Sequence, residues 1–290
     1  MGTTIVSALN GLSYGMILFL IAAGLSLILG VMQFLNLAHG ALFMLGGYVG
    51  WTVAVEHDGG FLVAVLAAGL VVAVLGFVLE RLLLRRLHDQ LDNQVLATLG
   101  ITYIITNLTI WIWTAQPKVA FVPPVFDGSL DIAGETYPTS RIAVLGAGAI
   151  IAVALWWFQD RTRIGAMLRA GMDDRETASS LGVNVAAVSA IVFTVGCFVA
   201  GISGVLGQQL TGLQPGQGTS VLLLGLVVLV LGGIGTVQGA LLGAILIGLV
   251  NSFGQTLLPG FAAFLIYAAM ILVLVVRPGG LLGRPEALRI

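Results

Sequence analysis

Two stretches of this 290-residue chain hold residues whose types and spacing could do chemistry. The first carries Asn36, His39 and Gly40 inside an otherwise apolar region, and the second, Asp160 to Asn184, is the most polar part of the sequence. Polar and ionisable groups in an apolar interior are costly unless they face partners or a wet cavity, so Asn36 and His39 are functional candidates. Spaced three apart, they would share a face if helical. Asn36 could cap the helix that follows, and His39 could donate to a carbonyl in a broken segment. The competing reading is that both only stabilise the break. Gln208, Gln209, Gln214 and Gln217 lie by a second break, where docking to an external partner and simple solvation are both reasonable.

The polar stretch is too patterned for a mere linker. Ile164, Met167, Leu168, Met172 and Leu181 supply apolar contacts among charges. Asp173 or Asp174 can cap a short helix running to Leu181, and Gly182 is placed to end it. A short capped amphipathic helix between two spans is a docking element for another protein, the plain alternative being a solvated positive connector.

What is missing narrows the chemistry. No G-x-x-x-x-G-K-[S/T] phosphate loop occurs and the single lysine is Lys118, so this chain does not itself hold ATP in that way. No metal-ligand cluster and no set of nucleophile, base and orienter appears, which leaves an enzyme reading little to stand on. The apolar segments contain almost no Asp, Glu or Lys, which argues against a carboxylate proton relay, with His39 the one formal exception. Energy must come from a partner or an ion.

These residues must be positioned by membrane helices. Hydrophobic residues make up 58% of the chain and charged residues 9%, against the roughly 25% charge of a soluble globule. The lipid bilayer is therefore its solvent, and no nucleic-acid footprint exists. Forty glycines without a three-residue period read as packing and bending elements of closely approaching helices. Cys197, alone, permits no intrachain disulfide and reads as a small packing residue. The first apolar run lacks a basic n-region and is read as a retained span.

At roughly 20 apolar residues per span, candidates fall near 5–30, 38–55, 61–82, 94–114, 140–158, 186–208, 219–235, 237–257 and 261–277. The expectation is an all-α polytopic bundle of about nine spans, with eight or ten also open, forming one transmembrane domain over 1–290. Arg81, Arg85, Arg86, Arg161, Arg163, Arg169, Arg175, Arg277, Arg284 and Arg289 fall on one side, which becomes cytoplasmic, while Lys118 and Arg141 fall on the other. Segment 115–139 is then the large external loop and 159–185 a cytoplasmic loop. Five tryptophans near the expected interfaces fit an aromatic belt. Asn107, Asn251 and Gln255 read as hydrogen-bond glue between helices.

A short tract occurs twice. Ala23 to Gly30 and Ala200 to Gly207 both read A-G-[L/I]-S-x-[I/V]-L-G, and the charge topology runs them in opposite directions. Inverted halves are expected, with Gly24 and Gly201 as helix-packing positions and each copy followed by a polar break. Chance repetition of abundant residues is the alternative. Gly235, Gly239 and Gly243 form successive G-x-x-x-G pairs, suited to internal packing or a subunit interface.

Family resemblance enters at three places. Glu176 to Gly182 (E-T-A-S-S-L-G) resembles the E-A-A-x-x-x-G motif of permease subunits of ATP-binding-cassette importers, with Thr177 at the middle alanine and no leucine-proline downstream. Gly30 to Tyr48 resembles the G-V-x-x-x-x-N-x-A-H-G-x-x-x-x-x-G-x-Y signature of LivH-type branched-chain amino-acid permeases. Arg161 to Gly182 and Leu231 to Ala240 resemble two further segments of that family, although Gln238 stands where a proline is usual. The similarity spans nearly the whole chain.

The resemblance implies a permease subunit in a bacterial or archaeal plasma membrane. Its implied partners are a second permease of LivM type, two ATPase subunits that hold ATP and Mg, and an external binding protein that delivers a hydrophobic amino acid. No cofactor is implied in this chain. Arg169, Asp173, Asp174, Arg175, Glu176, Thr177, Ala178 and Gly182 would form the coupling element, and Asn36, His39, Gly40, Gln208 and Gln209 would border the path. Permeases for urea or short amides share the motifs and remain rivals. A secondary transporter or channel working alone is the reading from another class.

Overall fold

The computed structural model describes residues 2–87 and 90–282, so Arg284 and Arg289 lie outside the described residues. Eleven α-helices are present among these: α1 (Gly2–Met32), α2 (His39–Trp51), α3 (Phe61–Leu82), α4 (Leu91–Trp113), α5 (Thr139–Arg161), α6 (Arg163–Asp173), α7 (Arg175–Ser180), α8 (Val185–Thr211), α9 (Gln217–Gly232), α10 (Val237–Leu257) and α11 (Ala262–Val276). The all-α expectation misses one antiparallel hairpin in the 115–139 segment, β1 (Ser129–Ile132) with β2 (Glu135–Pro138). Turn residues at Ala133 and Gly134, both at positive φ, permit that tight reversal.

Nine apolar helices occupy the nine expected segments, but only six of the described helices (α1, α3, α4, α5, α8 and α10) are long and apolar enough to cross a bilayer. The nine-span expectation is therefore met only as a set of helices. The shortfall has a local cause: α2 has 13 residues, α9 has 16 and α11 has 15, which at about 1.5 Å per residue fall short of a hydrocarbon core about 30 Å thick. A five-residue π-helical turn, Thr52–Glu56, prolongs α2.

The centre of the molecule is α1, fully buried over residues 17–28, and small residues let its neighbours approach. It runs antiparallel along α10: Ser7 near its start meets Thr256 (Oγ to Oγ1, 3.0 Å), and Ser252 donates to the Ser7 carbonyl at 2.6 Å. In the same manner α8 runs antiparallel along α3, where Gly76 faces Cys197 and Gly201 faces Ala68. Gly24 meets Gly196 where α1 crosses α8. Gly239 and Gly243 both pack on α9, at Gly232 and Val228, so this run serves internal packing.

Gly235 departs from the helix-packing expectation. It lies in the turn between α9 and α10 with φ +84°, a left-handed conformation that costs a side-chain-bearing residue about 1–2 kcal/mol. The G-x-x-x-G spacing ran across a helix boundary that composition alone did not reveal.

Candidate functional site

The break between α1 and α2 begins at Gln33, whose φ of +57° ends α1. Asn36 is buried, and its Oδ1 accepts from the Ala38 amide at 3.1 Å, an Asx-type turn. It is not the cap of α2, which starts after Ala38 without a side-chain bond. The break is held from outside by α4: the Leu37 amide donates to Thr98 Oγ1 (3.2 Å) and Thr102 Oγ1 donates to the Leu37 carbonyl (3.1 Å). One turn earlier, Gln94 donates to the Leu84 carbonyl at 3.0 Å. Sequence reading missed this clamp, although Gln94, Thr98 and Thr102 recur every four residues and mark one polar face of α4.

His39 opens α2 and is fully buried. A Cβ at Gly24 would lie 3.0 Å from its Cε1 and 3.1 Å from its Nε2, so the imidazole packs at the crossing of α1 and α8. This differs from the expected bond to a carbonyl of the break, because α2 turns its first residue toward α1. Neither ring nitrogen makes a hydrogen bond of standard geometry among the described residues, although the Ile21 backbone is close enough to interact with the ring. Asn36 Nδ2 also has no partner there. Gly40, next along, abuts Gly218 backbone to backbone, so α2 and α9 begin against each other.

Gln208 and Gln209 lie in the last turns of α8 and not in the break itself. Gln208 is buried with neither amide atom hydrogen-bonded among the described residues. Because it is twelve residues beyond Gly196 on α8, about 18 Å along the axis, the structure does not gather it with His39. The break after α8 is tied outward: Gln217 donates to Thr211 Oγ1 at 2.6 Å, and the Lys118 amide donates to the Leu213 carbonyl at 2.8 Å.

Asn251 and Gln255 are not glue between helices. Gln255 donates to Asn251 within α10 at 3.1 Å, and both line a polar cavity that also contains Arg141. Asn107 likewise bonds within its own helix, to the Tyr103 carbonyl at 2.8 Å.

At the opposite end of the molecule, α6 and α7 form the polar loop. Thr162 caps α6 by accepting from the Gly165 amide (2.9 Å), and of the two aspartates it is Asp174 that caps α7, accepting from the Thr177 amide at 3.0 Å and its hydroxyl at 2.6 Å. These Thr177 bonds, side chain first, hold the Asp174 carboxyl below its ordinary pKa. Gly182, at φ +88°, follows α7 and turns the chain toward α8. Glu176, Thr177 and Gly182 are exposed, whereas Ala178 is buried. Leu181 stands 80% exposed at the tip. Arg169 turns back, bonding the Gln159 carbonyl and reaching Asp160 at 3.7 Å. It braces the loop.

The Asp174 cap couples α7 to pH. A carboxyl with a depressed folded pKa contributes its stabilisation above the ordinary carboxylate range and loses it as pH falls through the depressed value. Protection factors at Thr177 to Leu181, exchange rates corrected for the intrinsic pH dependence of amide exchange, should therefore be highest near pH 7 and fall in acid. Asp174→Asn should remove that acid dependence, and an unchanged acid response in the variant would contradict the capping role.

The loop is fastened to the membrane helices. Met172 of α6 inserts against Gly30 at the end of α1 and against Gly235. The buried amide of Gln159 donates to the Gly235 carbonyl (2.7 Å) and accepts from the Val237 amide (3.1 Å), while the Gly235 amide donates to Ser26 Oγ at 2.9 Å. Gln238, in the place of the family proline, donates to Asp160 at 3.0 Å. Gln159 was missed because its partners lie more than seventy residues away.

Comparison with known proteins accords with this arrangement. Residues 7–274 match the family described as branched-chain amino acid transport system / permease component. The chain is 30% identical to the high-affinity branched-chain amino acid transport system permease protein LivH of Escherichia coli, over 96% of this chain and 94% of that protein. It is 28% identical to BraD of Pseudomonas aeruginosa, a permease protein of the same kind of system, over 96% and 95%. LivM of Salmonella typhimurium is 26% identical, over 92% of this chain and 68% of its own length. No solved structure matches. A buried multi-helix membrane core, an N-x-A-H-G break clamped by α4 and a capped polar loop all sit within a match that covers most of the chain, which belongs to the permease-component family of branched-chain amino acid transport systems.

Proposed function

We propose that this chain is the permease subunit of an ATP-binding-cassette importer for branched-chain or other hydrophobic amino acids. It resides in the bacterial or archaeal plasma membrane with a second, LivM-like permease. Two ATPase subunits, which carry ATP and Mg, dock on the α6–α7 loop, and an external binding protein delivers the solute. The observation that carries the reading is that loop: capped at both helices, exposed at Leu181, and joined through Met172 and Gln159 to α1 and the α9–α10 turn. A solvated connector would need no such buried latch.

In this reading α1 to α4 and α8 to α11 are inverted copies and all nine apolar helices enter the membrane. The pairing of α1 with α10 and of α8 with α3 supports it, as does the contact of Gly40 with Gly218 at matching places. Closure of the ATPases moves α7, and the Met172 contact passes that movement to α1 and to the breaks near Asn36 and His39. The rocking of one half against the other opens the path alternately.

Reconstitution tests it. Proteoliposomes holding this chain, its partner permease and both ATPases should take up L-leucine only with binding protein and ATP present. Uptake by this chain alone, without ATP, would establish the stand-alone transporter instead. Uptake of urea in place of leucine would move the substrate to the amide class.

A further inference from the structure

Among the described residues, Arg141 is the one basic side chain lining a polar cavity of about 550 Å³ at the external end of the bundle. The first turns of α1, the start of α5, the end of α8 and the last turns of α10 surround it. Among the described residues, Leu210 is the single aliphatic side chain in a wall that includes Asn10, Tyr14, Asn251 and Gln255. The size suits a small metabolite.

The guanidinium is held in place from one side only. Its Nη1 donates to Asn10 Oδ1, and its own carbonyl accepts from Ser13 Oγ at 3.1 Å, a hydroxyl that also bonds Tyr137 at 3.1 Å. No carboxylate pairs with it among the described residues. A fixed, uncompensated arginine beside amide and hydroxyl groups is a receptor for a carboxylate, which it can engage through two parallel N–H bonds. Gln255 Oε1 and the Asn251 amide oxygen supply acceptors that suit an ammonium group in the same space.

We propose that this cavity is the entry site of the permease, where Arg141 takes the carboxylate of a free amino acid arriving from the external side. Its walls read the shared head group and offer little to the side chain, so choice among hydrophobic amino acids is left to the binding protein. The proposal rests on the amino-acid importer reading above.

The test uses the complete complex in proteoliposomes with leucine-loaded binding protein. Arg141→Gln should lower L-leucine uptake on the order of tenfold, the loss expected when a charge-assisted pair is removed. The concentration of binding protein giving half-maximal ATPase stimulation should stay unchanged, Arg141→Lys should recover part of the uptake, and valine and isoleucine should lose by the same factor. Wild-type uptake in Arg141→Gln would overturn the site while leaving the importer reading intact. A loss that appears instead as weaker binding-protein docking would overturn it in favour of a docking residue, and a loss confined to one amino acid would overturn the head-group assignment. A wild-type complex that moves no amino acid would overturn the importer reading and this site with it.

Discussion

Leu181→Asp is expected to weaken assembly with the ATPase subunits roughly 30-fold while leaving this chain folded. The leucine is 80% exposed at the end of α7, between the cap at Asp174 and the left-handed Gly182, so it makes little internal packing to lose. An apolar anchor at the centre of an interface contributes about 2 kcal/mol or more, equivalent to roughly 30-fold in affinity, and a carboxylate adds desolvation without a partner. Copurification of the ATPases and ATP-driven leucine uptake should both fall by that order, and Leu181→Met should restore them. Undiminished copurification and uptake in Leu181→Asp would remove α7 from the coupling interface. Glu176→Lys gives a second surface test, since Glu176 is exposed. Ala178 is a poor test residue, because it is 3% exposed and a bulky replacement would act through loop packing.

Gly40→Leu should be among the most damaging single substitutions for the fold. A Cβ at residue 40 would run into the Gly218 carbonyl, and one at Gly218 would lie 2.6 Å from the Gly40 carbonyl. Both obstacles are backbone, so no rotamer change relieves them, and α2 must part from α9. Overpacking where side chains can yield costs about 1–3 kcal/mol. Here the upper end is expected, a fall in Tm of roughly 6–12 °C for a chain of this size. Gly100→Ala is the control, because nothing lies within 4 Å of that position and alanine favours the helix. Thermal unfolding in detergent should separate the two, and a Gly40→Leu protein as stable as wild type would disprove the tight α2–α9 contact.

The two substitutions also mark what kind of information the chain carries openly. Helix positions were legible because bilayer thickness and the apolar runs set them, and nine helices lie where hydropathy put them. The polar α6–α7 loop was legible because capping is local: Asp174 and Gly182 act within a few residues of themselves. Span number was less so, since α2, α9 and α11 end at breaks that hydropathy smooths over. Gly235 was assigned to a helix for the same reason.

A membrane-embedded helical permease, a resemblance to the LivH type and a patterned polar loop are legible in residue order, because composition, motif and capping are properties of neighbours along the chain. Packing in three dimensions sets the rest: His39 lies on Gly24, α4 clamps the Asn36 break, Gln159 and Met172 bolt the loop to Gly235, and Arg141 stands in a polar cavity. Those contacts join residues from about fifteen to well over a hundred positions apart. The driving forces are close packing of small residues and the need of buried polar groups for partners, and neither names its partner in the sequence.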